Sequence, residues 1–214
     1  MKLYDYFRSS AAYRVRIALN LKGASPERVF VHLLKGKQRE PDYLAVNPQG
    51  LVPALVTDDG VTLTQSLAII EYLDETIPAP PLLPGSAAER ARIRGIAQAI
   101  ACDIHPVDNL RVLRYLVHTL GVEEAQKDAW YRYWIDVGLE ALERSLARDP
   151  ATGRCCHGDT PTLADVCLVP QLANARRVNM DLAPYPTLTR IDAHCRSLPA
   201  FAAAAPAQQP DAEG

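Results

Sequence analysis

The chain has 214 residues, with 23 Lys and Arg against 25 Asp and Glu and a formal net charge of −2. That length holds one large or two small domains with a real core. The near-neutral balance, with no basic stripe, argues against a nucleic-acid partner, and no apolar run approaches the roughly twenty residues of a membrane span. The N-terminus enters a strand pattern almost at once, without a signal-peptide pattern, so a cytoplasmic protein and no membrane partner are expected. The five cysteines, Cys102, Cys155, Cys156, Cys167 and Cys195, form no C-x-x-C pair, and the adjacent pair is poor metal-ligand spacing. They read as reduced, mostly buried thiols. The histidines show no H-x-x-x-H or H-E-x-x-H spacing either, so no metal is expected.

In chain order, Lys2 to Tyr6 reads as a short strand that ends in Arg8-Ser9-Ser10. A helix pattern follows, with Val15, Ala18, Leu19 and Lys22 spaced i, i+3, i+4, i+7 and Gly23 just past its end. Ser9 or Ser10 therefore stands at or beside an N-cap, among unpaired backbone N–H groups at the positive end of a helix dipole. Such a place suits an anion, a thiolate included, although the serines could equally do no more than cap the helix. Arg28 to Leu33 predicts a second strand parallel to the first in a βαβ unit. A polar loop, Lys35 to Glu40, leads to a helical turn at Asp42 to Val46. Pro48 and Gly50 then break the chain, and Pro53 stands immediately before a strand, where it removes a ladder donor. A cis Val52–Pro53 bond that aims the Val52 backbone at a ligand is one candidate reason. Asp58-Asp59-Gly60 predicts a hairpin turn into the strand Val61 to Thr64, and Ser66 is read as the N-cap of a helix over Leu67 to Thr76. The order βαβ then ββα describes a four-stranded mixed sheet with helices on it, the thioredoxin-like α/β layout.

The proline-dense stretch Pro78 to Gly85 is the best domain boundary. It divides the chain into 1–78, a linker at 79–85, and an all-helical domain over 86–214. Ser86 to Glu89 is a capping box, and His105-Pro106 interrupts or kinks the helix it launches. A helix follows over Val107 to Thr119, then a long one over Glu123 to about Ala147. Thr162 and Asp165 make a second capping box, whose helix over Leu163 to Arg177 carries Pro170 in its interior and is predicted to kink. Tyr185-Pro186 starts a last helix to about Ser197, and Pro206 to Gly214 reads as loosely ordered or surface-draped.

A small βαβ-ββα domain, a proline linker and an all-helical domain together resemble the cytosolic glutathione transferases. The residues that carry the resemblance are Val52-Pro53 before the third strand, Gln65-Ser66 opening the third helix, and Thr162-Leu163-Ala164-Asp165. Arg8-Ser9-Ser10 with Tyr13-Arg14-Val15-Arg16-Ile17-Ala18-Leu19, Gln65 to Leu73, and Asp181-Leu182-Ala183-Pro184-Tyr185-Pro186 resemble the zeta-class signature. That likeness spans essentially the whole chain.

The resemblance implies a glutathione-dependent cis-trans isomerase of aromatic catabolism, with maleylacetoacetate as substrate. Maleylpyruvate isomerisation and general glutathione transfer to small electrophiles are the alternatives, and a non-catalytic binding protein of the same fold is a reading of another class. It implies glutathione as cofactor, a small dicarboxylate-like substrate, and a homodimer. By the same resemblance Ser9 holds the thiolate, with Ser10 the nearby donor. Gln65 and Ser66 grip the γ-glutamyl carboxylate, Val52 before Pro53 pairs its backbone with the cysteinyl unit, and Gln38 reaches the glycyl end. His105, Asn109, Leu110 and Arg111 are implicated in the helical domain, where satisfying a helix kink is the plainer reading of His105 and Asn109. Arg8 and Arg176 are the candidates for substrate carboxylates, because a guanidinium fork matches them. Arg14 and Arg16 read as structural ion pairs. The family motif has cysteine where Ala11 stands, but the isomerisation needs no protein nucleophile, since glutathione supplies the sulfur.

Overall fold

The computed structural model describes residues 1–212, which form two compact units, Met1–Leu82 with the described chain from Ser197 onward, and Leu83–Arg196. In the first, strands β1 (Lys2–Asp5), β2 (Glu27–Phe30), β3 (Ala54–Val56) and β4 (Thr62–Thr64) form one sheet in the order β2-β1-β3-β4. β1 runs parallel to β2 and antiparallel to β3, and β3 runs antiparallel to β4. This is the four-stranded mixed sheet expected from the sequence. β2 is shorter than its apolar run, because only Glu27–Phe30 pairs regularly with β1; Val31 adds one further bond to the Asp5 carbonyl at 2.8 Å.

Helix α1 (Ser10–Leu21), which the short α2 (Pro41–Val46) follows in sequence after β2, is buried along nine of its twelve residues, including Tyr13, Arg14, Arg16 and Ile17. It packs against α3 (Ser66–Thr76) and α10 (Pro199–Ala204), so the one-sided apolar stripe read from its spacing is only part of a helix enclosed on several sides. It ends in a Schellman motif. Gly23, at φ 65°, donates to Asn20 O at 3.2 Å and Ala24 donates to Leu19 O at 2.9 Å. The proline stretch is tied to this unit through Asp74, which accepts from the Lys22 ammonium and the Leu82 N–H at 2.6 and 2.7 Å.

The chain from Ser197 onward is grouped with the sheet, not with the helices before it. The described part of the terminal stretch, read from sequence as loosely ordered or surface-draped, is fixed by hydrogen bonds. Gln209 is buried and donates to Ala203 O and Ala205 O at 2.9 and 2.8 Å, while the Asp211 carboxylate accepts the Phe7 N–H at 2.9 Å. Residues 213 and 214 of that stretch lie outside the described residues.

The second unit is helical. Its elements are α4 (Ala87–Gln98), α5 (His105–Val107), α6 (Leu110–His118), α7 (Glu124–Arg148), α8 (Leu163–Arg177) and α9 (Pro186–Arg196). α8 is the core, buried at twelve of its fifteen residues. It runs from Leu163 to Arg177 with Pro170 inside it. The interruption expected at His105-Pro106 is present, as a π-helical stretch over Ala99–Ile104 between α4 and α5. Pro106 has no N–H to return to the preceding turn, so the helix widens there before it ends. Gly138 of α7 lets that stretch come close, since a Cβ would sit 2.3 Å from Ile104. Both capping boxes read from sequence are present, Ser86 with Glu89 and Thr162 with Asp165.

Candidate active site

Strand register places three of the expected segments at one end of the sheet. Tyr4 pairs with Ala54, and Ala54 pairs with Thr64. The chain leaving β1 toward Ser9, the Val52-Pro53 entry to β3, and Gln65 after β4 therefore emerge side by side. Ser9 is the N-cap of α1; its Oγ accepts the Ala12 N–H at 3.2 Å, which leaves the hydroxyl hydrogen to donate outward. Ser9 is half-buried and Ser10, the first helical residue, is buried, whereas Arg8 is exposed.

The corner that carries Ser9 is held from beneath. Asp5, wholly buried, accepts from the Tyr6 N–H at 2.7 Å and from Arg16 Nη1 at 2.9 Å, and also pairs with Arg28. Arg16 donates further to Phe7 O and Ala204 O, each at 3.0 Å. Burial lowers the Arg16 pKa while Asp5 opposes the shift, so the guanidinium stays charged, as this side chain does in proteins generally. The structural ion pair read for Arg16 is present, and Arg14 donates to Ser66 Oγ at 3.2 Å, linking α1 to the start of α3.

Gln65 corrects the reading of Ser66 as N-cap. Gln65 occupies that position at φ 69°, in the left-handed region that a non-glycine residue adopts at a cost of about 1–3 kcal/mol. Ser66 is the first helical residue and is buried. Gln65 Nε2 donates to Gln49 Oε1 at 3.2 Å, tying the helix start to the loop before β3. That loop is braced by the Leu51 carbonyl, which accepts from Asn47 Nδ2 at 2.8 Å and Tyr43 Oη at 2.5 Å. Burial raises the Tyr43 phenol to about 12, so it remains a donor. The Val52–Pro53 peptide is cis. Gly50, at φ 61°, passes so close to the turn at Lys37–Arg39 that a Cβ would lie 2.9 Å from Gln38 O. Gln38 is buried there, and its Oε1 has no hydrogen-bond partner among the described residues. A cavity of about 470 Å³ beside β2, walled in part by Tyr4, Phe30, His32 and Tyr43, includes none of the expected site residues.

In the helical unit, Asn109 is the N-cap of α6 and its Oδ1 accepts the Arg111 N–H at 3.1 Å. This is a cap at the start of α6, where the sequence offered satisfaction of a kink as the plainer reading. Leu110 and His105 are half-buried and Arg111 is exposed. Arg176 pairs with the buried carboxylate of Asp192 on α9, a partner that sequence pattern did not reveal, and its side chain keeps 36% exposure. Asp108 immediately precedes the Asn109 cap. It is buried, neither carboxyl oxygen has a hydrogen-bond partner among the described residues, and desolvation raises its pKa to about 8.

A glutathione S-transferase N-terminal domain model matches residues 8–76. A probable maleylacetoacetate isomerase of Vibrio cholerae is 52% identical over 98% of this chain and 97% of its own length. The holo structure of a maleylpyruvate isomerase, described as a bacterial zeta-class glutathione-S-transferase, superposes with a TM-score of 0.97 at 51% identity, each chain covered in full. A maleylacetoacetate isomerase from Methylobacterium extorquens AM1, solved with bound malonate and GSH, gives a TM-score of 0.97 at 45% identity, again with both chains covered in full. The sheet, its helical companion and these matches define a glutathione transferase. Within that superfamily the chain belongs to the zeta class, the maleylacetoacetate and maleylpyruvate isomerase family.

Proposed function

We propose that this chain is a glutathione-dependent cis-trans isomerase that converts maleylacetoacetate to fumarylacetoacetate. The observation that carries the proposal is the Ser9 hydroxyl, held as an N-cap with its hydrogen available, at the sheet end where Val52 and Gln65 also emerge. When bound, glutathione supplies a thiolate that adds to the conjugated cis double bond and leaves after the resulting single bond has turned.

The residues present fit glutathione on three counts. Gln38 offers a buried, unpaired acceptor for an N–H at the glycyl end. Gly50, having no Cβ, lets the loop before β3 close on the Gln38 backbone and so holds that turn in place. The start of α3 offers first-turn N–H groups, with Ser66 and the strained Gln65, to the γ-glutamyl carboxylate. Ser9 donates to the thiolate at the positive end of α1. A thiol of ordinary pKa about 8.5 needs a drop of only one or two units, worth about 1.4–2.8 kcal/mol, to be mostly ionised at neutral pH. Ser10 is the second hydroxyl of that corner, and the Val52 backbone pairs with the cysteinyl unit.

Arg8, exposed next to Ser9, and Arg176, oriented by Asp192, are the proposed carboxylate ligands of the substrate. The malonate in the Methylobacterium relative supports a dicarboxylate-binding site in this family. His105, Asn109, Leu110 and Arg111 complete the proposed set from the helical domain. The homodimer and the cytoplasmic location are part of the same proposal; among the described residues no helix is long and apolar enough to cross a membrane.

An absorbance assay of purified protein on maleylacetoacetate and maleylpyruvate, with and without glutathione, tests the reading. Turnover of maleylacetoacetate only in the presence of glutathione supports it. Faster turnover of maleylpyruvate would reassign the substrate, and no isomerisation of either would leave a binding protein of this fold.

A further inference from the structure

The spacing of the cysteines in sequence argued against a metal, but the fold of the helical unit brings together groups that sequence separates. Cys155 lies in the loop after α7, Asp165 in the first turn of α8, and Cys195 in the last turn of α9. All three are wholly buried, and their two sulfurs and a carboxylate oxygen lie within 4.8 Å of one another. Cys156, also wholly buried, donates its N–H to Asp165 Oδ1 at 2.7 Å and stands beside the set.

The surrounding framework is rigid. The loop closes on itself through Cys155 N–H to Gly158 O at 2.9 Å and Gly153 N–H to Cys155 O at 3.1 Å. Gly153 runs so near Gly158 that a Cβ there would meet its carbonyl oxygen at 2.3 Å. Arg92 fastens the loop from outside, donating to Cys156 O at 2.8 Å, Thr152 Oγ1 at 3.0 Å and Asp149 Oδ2 at 2.6 Å. Asp165 is oriented by Thr162, whose N–H and hydroxyl donate to Oδ2 at 2.8 and 3.0 Å.

We infer that Cys155, Cys195 and Asp165 form a buried site for a thiophilic divalent cation, zinc or cadmium, independent of the isomerase chemistry. Two thiolates and one carboxylate are a recognised donor set for such an ion. A tetrahedral zinc site holds its sulfurs about 3.8 Å apart, with Zn–S about 2.3 Å, so the three groups need close by no more than about 1 Å. On binding, each thiol releases a proton to solvent and its sulfur gains a bond to the metal, with no change of oxidation state. The three ligand charges then exceed the +2 of the ion by one.

The test uses full-length, reduced protein, freed of metal with a chelator and kept without glutathione. Cadmium titration is followed by thiolate-to-metal charge-transfer absorbance, and zinc affinity by competition with a chromophoric chelator. One equivalent per chain is expected, bound at least about a hundredfold more tightly than by Cys195→Ser or Cys155→Ser, with Cys102→Ser unchanged. Wild-type affinity no tighter than that of the two variants, or binding that is lost in Cys102→Ser, overturns the site. Should the variants fail to fold, pulsed alkylation of the wild type decides. Zinc must shield Cys155 and Cys195 but not the exposed Cys102, and equal shielding or none overturns the proposal.

Discussion

Asp5 and Asp108 are both carboxylates buried within their own units, and they differ in what surrounds them. Asp5 lies among an N–H donor and two arginines, so its charge is answered on every side the chain offers. Asp108 has no hydrogen bond to either oxygen among the described residues, and burial without a partner leaves it protonated up to about pH 8. A buried charge that is paired fixes geometry, and here it fixes the corner below Ser9. A buried acid that is unpaired is a cost carried by the fold, which makes stability depend on pH.

The largest effect expected is on the paired side. Arg16→Ala should lower unfolding free energy by about 3–5 kcal/mol, read from the urea midpoint, because it leaves Asp5 partly unanswered. A loss below about 1 kcal/mol would mean that Arg28 alone satisfies Asp5 and would dissolve the contrast. Next, Ser9→Ala should lower kcat/KM by about a hundredfold to a thousandfold, the range for removing one donor from a developing or resident anion. Glutathione affinity should change much less, and Ser9→Thr should retain most activity. The cap itself accounts for only about 1 kcal/mol of stability, so thermal melting separates the two contributions.

Asp108→Asn tests the unpaired side. The folded pKa of about 8 lies above the ordinary carboxyl value of 3.8. The wild type therefore has the full stability of the neutral acid below about pH 4 and loses it progressively as pH rises through 8. The variant should match the wild type near pH 4 and exceed it by about 1–3 kcal/mol above pH 8. A constant difference across that range would show that Asp108 is paired after all. The smallest effect belongs to Arg176→Ala, which should raise the substrate KM by roughly tenfold, about 1.4 kcal/mol, with kcat retained. Selective loss of glutathione affinity would move Arg176 to the other ligand.

What was legible in the sequence follows the range of the interactions involved. Ser86 with Glu89 and Thr162 with Asp165 close within three residues, so each was readable from its own neighbourhood. The sheet was readable because alternation, the hairpin glycine and the βαβ spacing act locally and agree with one another. Gln65 defeated local reading, because left-handed backbone is ordinarily signalled by glycine and here it is imposed on glutamine. The Asp192 partner of Arg176 and the meeting of Cys155 with Cys195 join segments 16 and 40 positions apart, and no spacing rule covers such pairs. The stretch from Pro206 misled for the same reason: its polar, proline-containing composition carries no trace of the Phe7 N–H that Asp211 meets 204 positions earlier.

Those late contacts bear on how the protein comes into being. A ribosome releases the sheet first, with Phe7 and Arg16 already made, while Ala204 and Asp211 are still to be translated. The nascent N-terminal unit therefore waits, incompletely clamped, through synthesis of the entire helical unit. Maturation of the corner beneath Ser9 is thus one of the last events in the birth of the molecule, although its own residues are among the first to leave the tunnel.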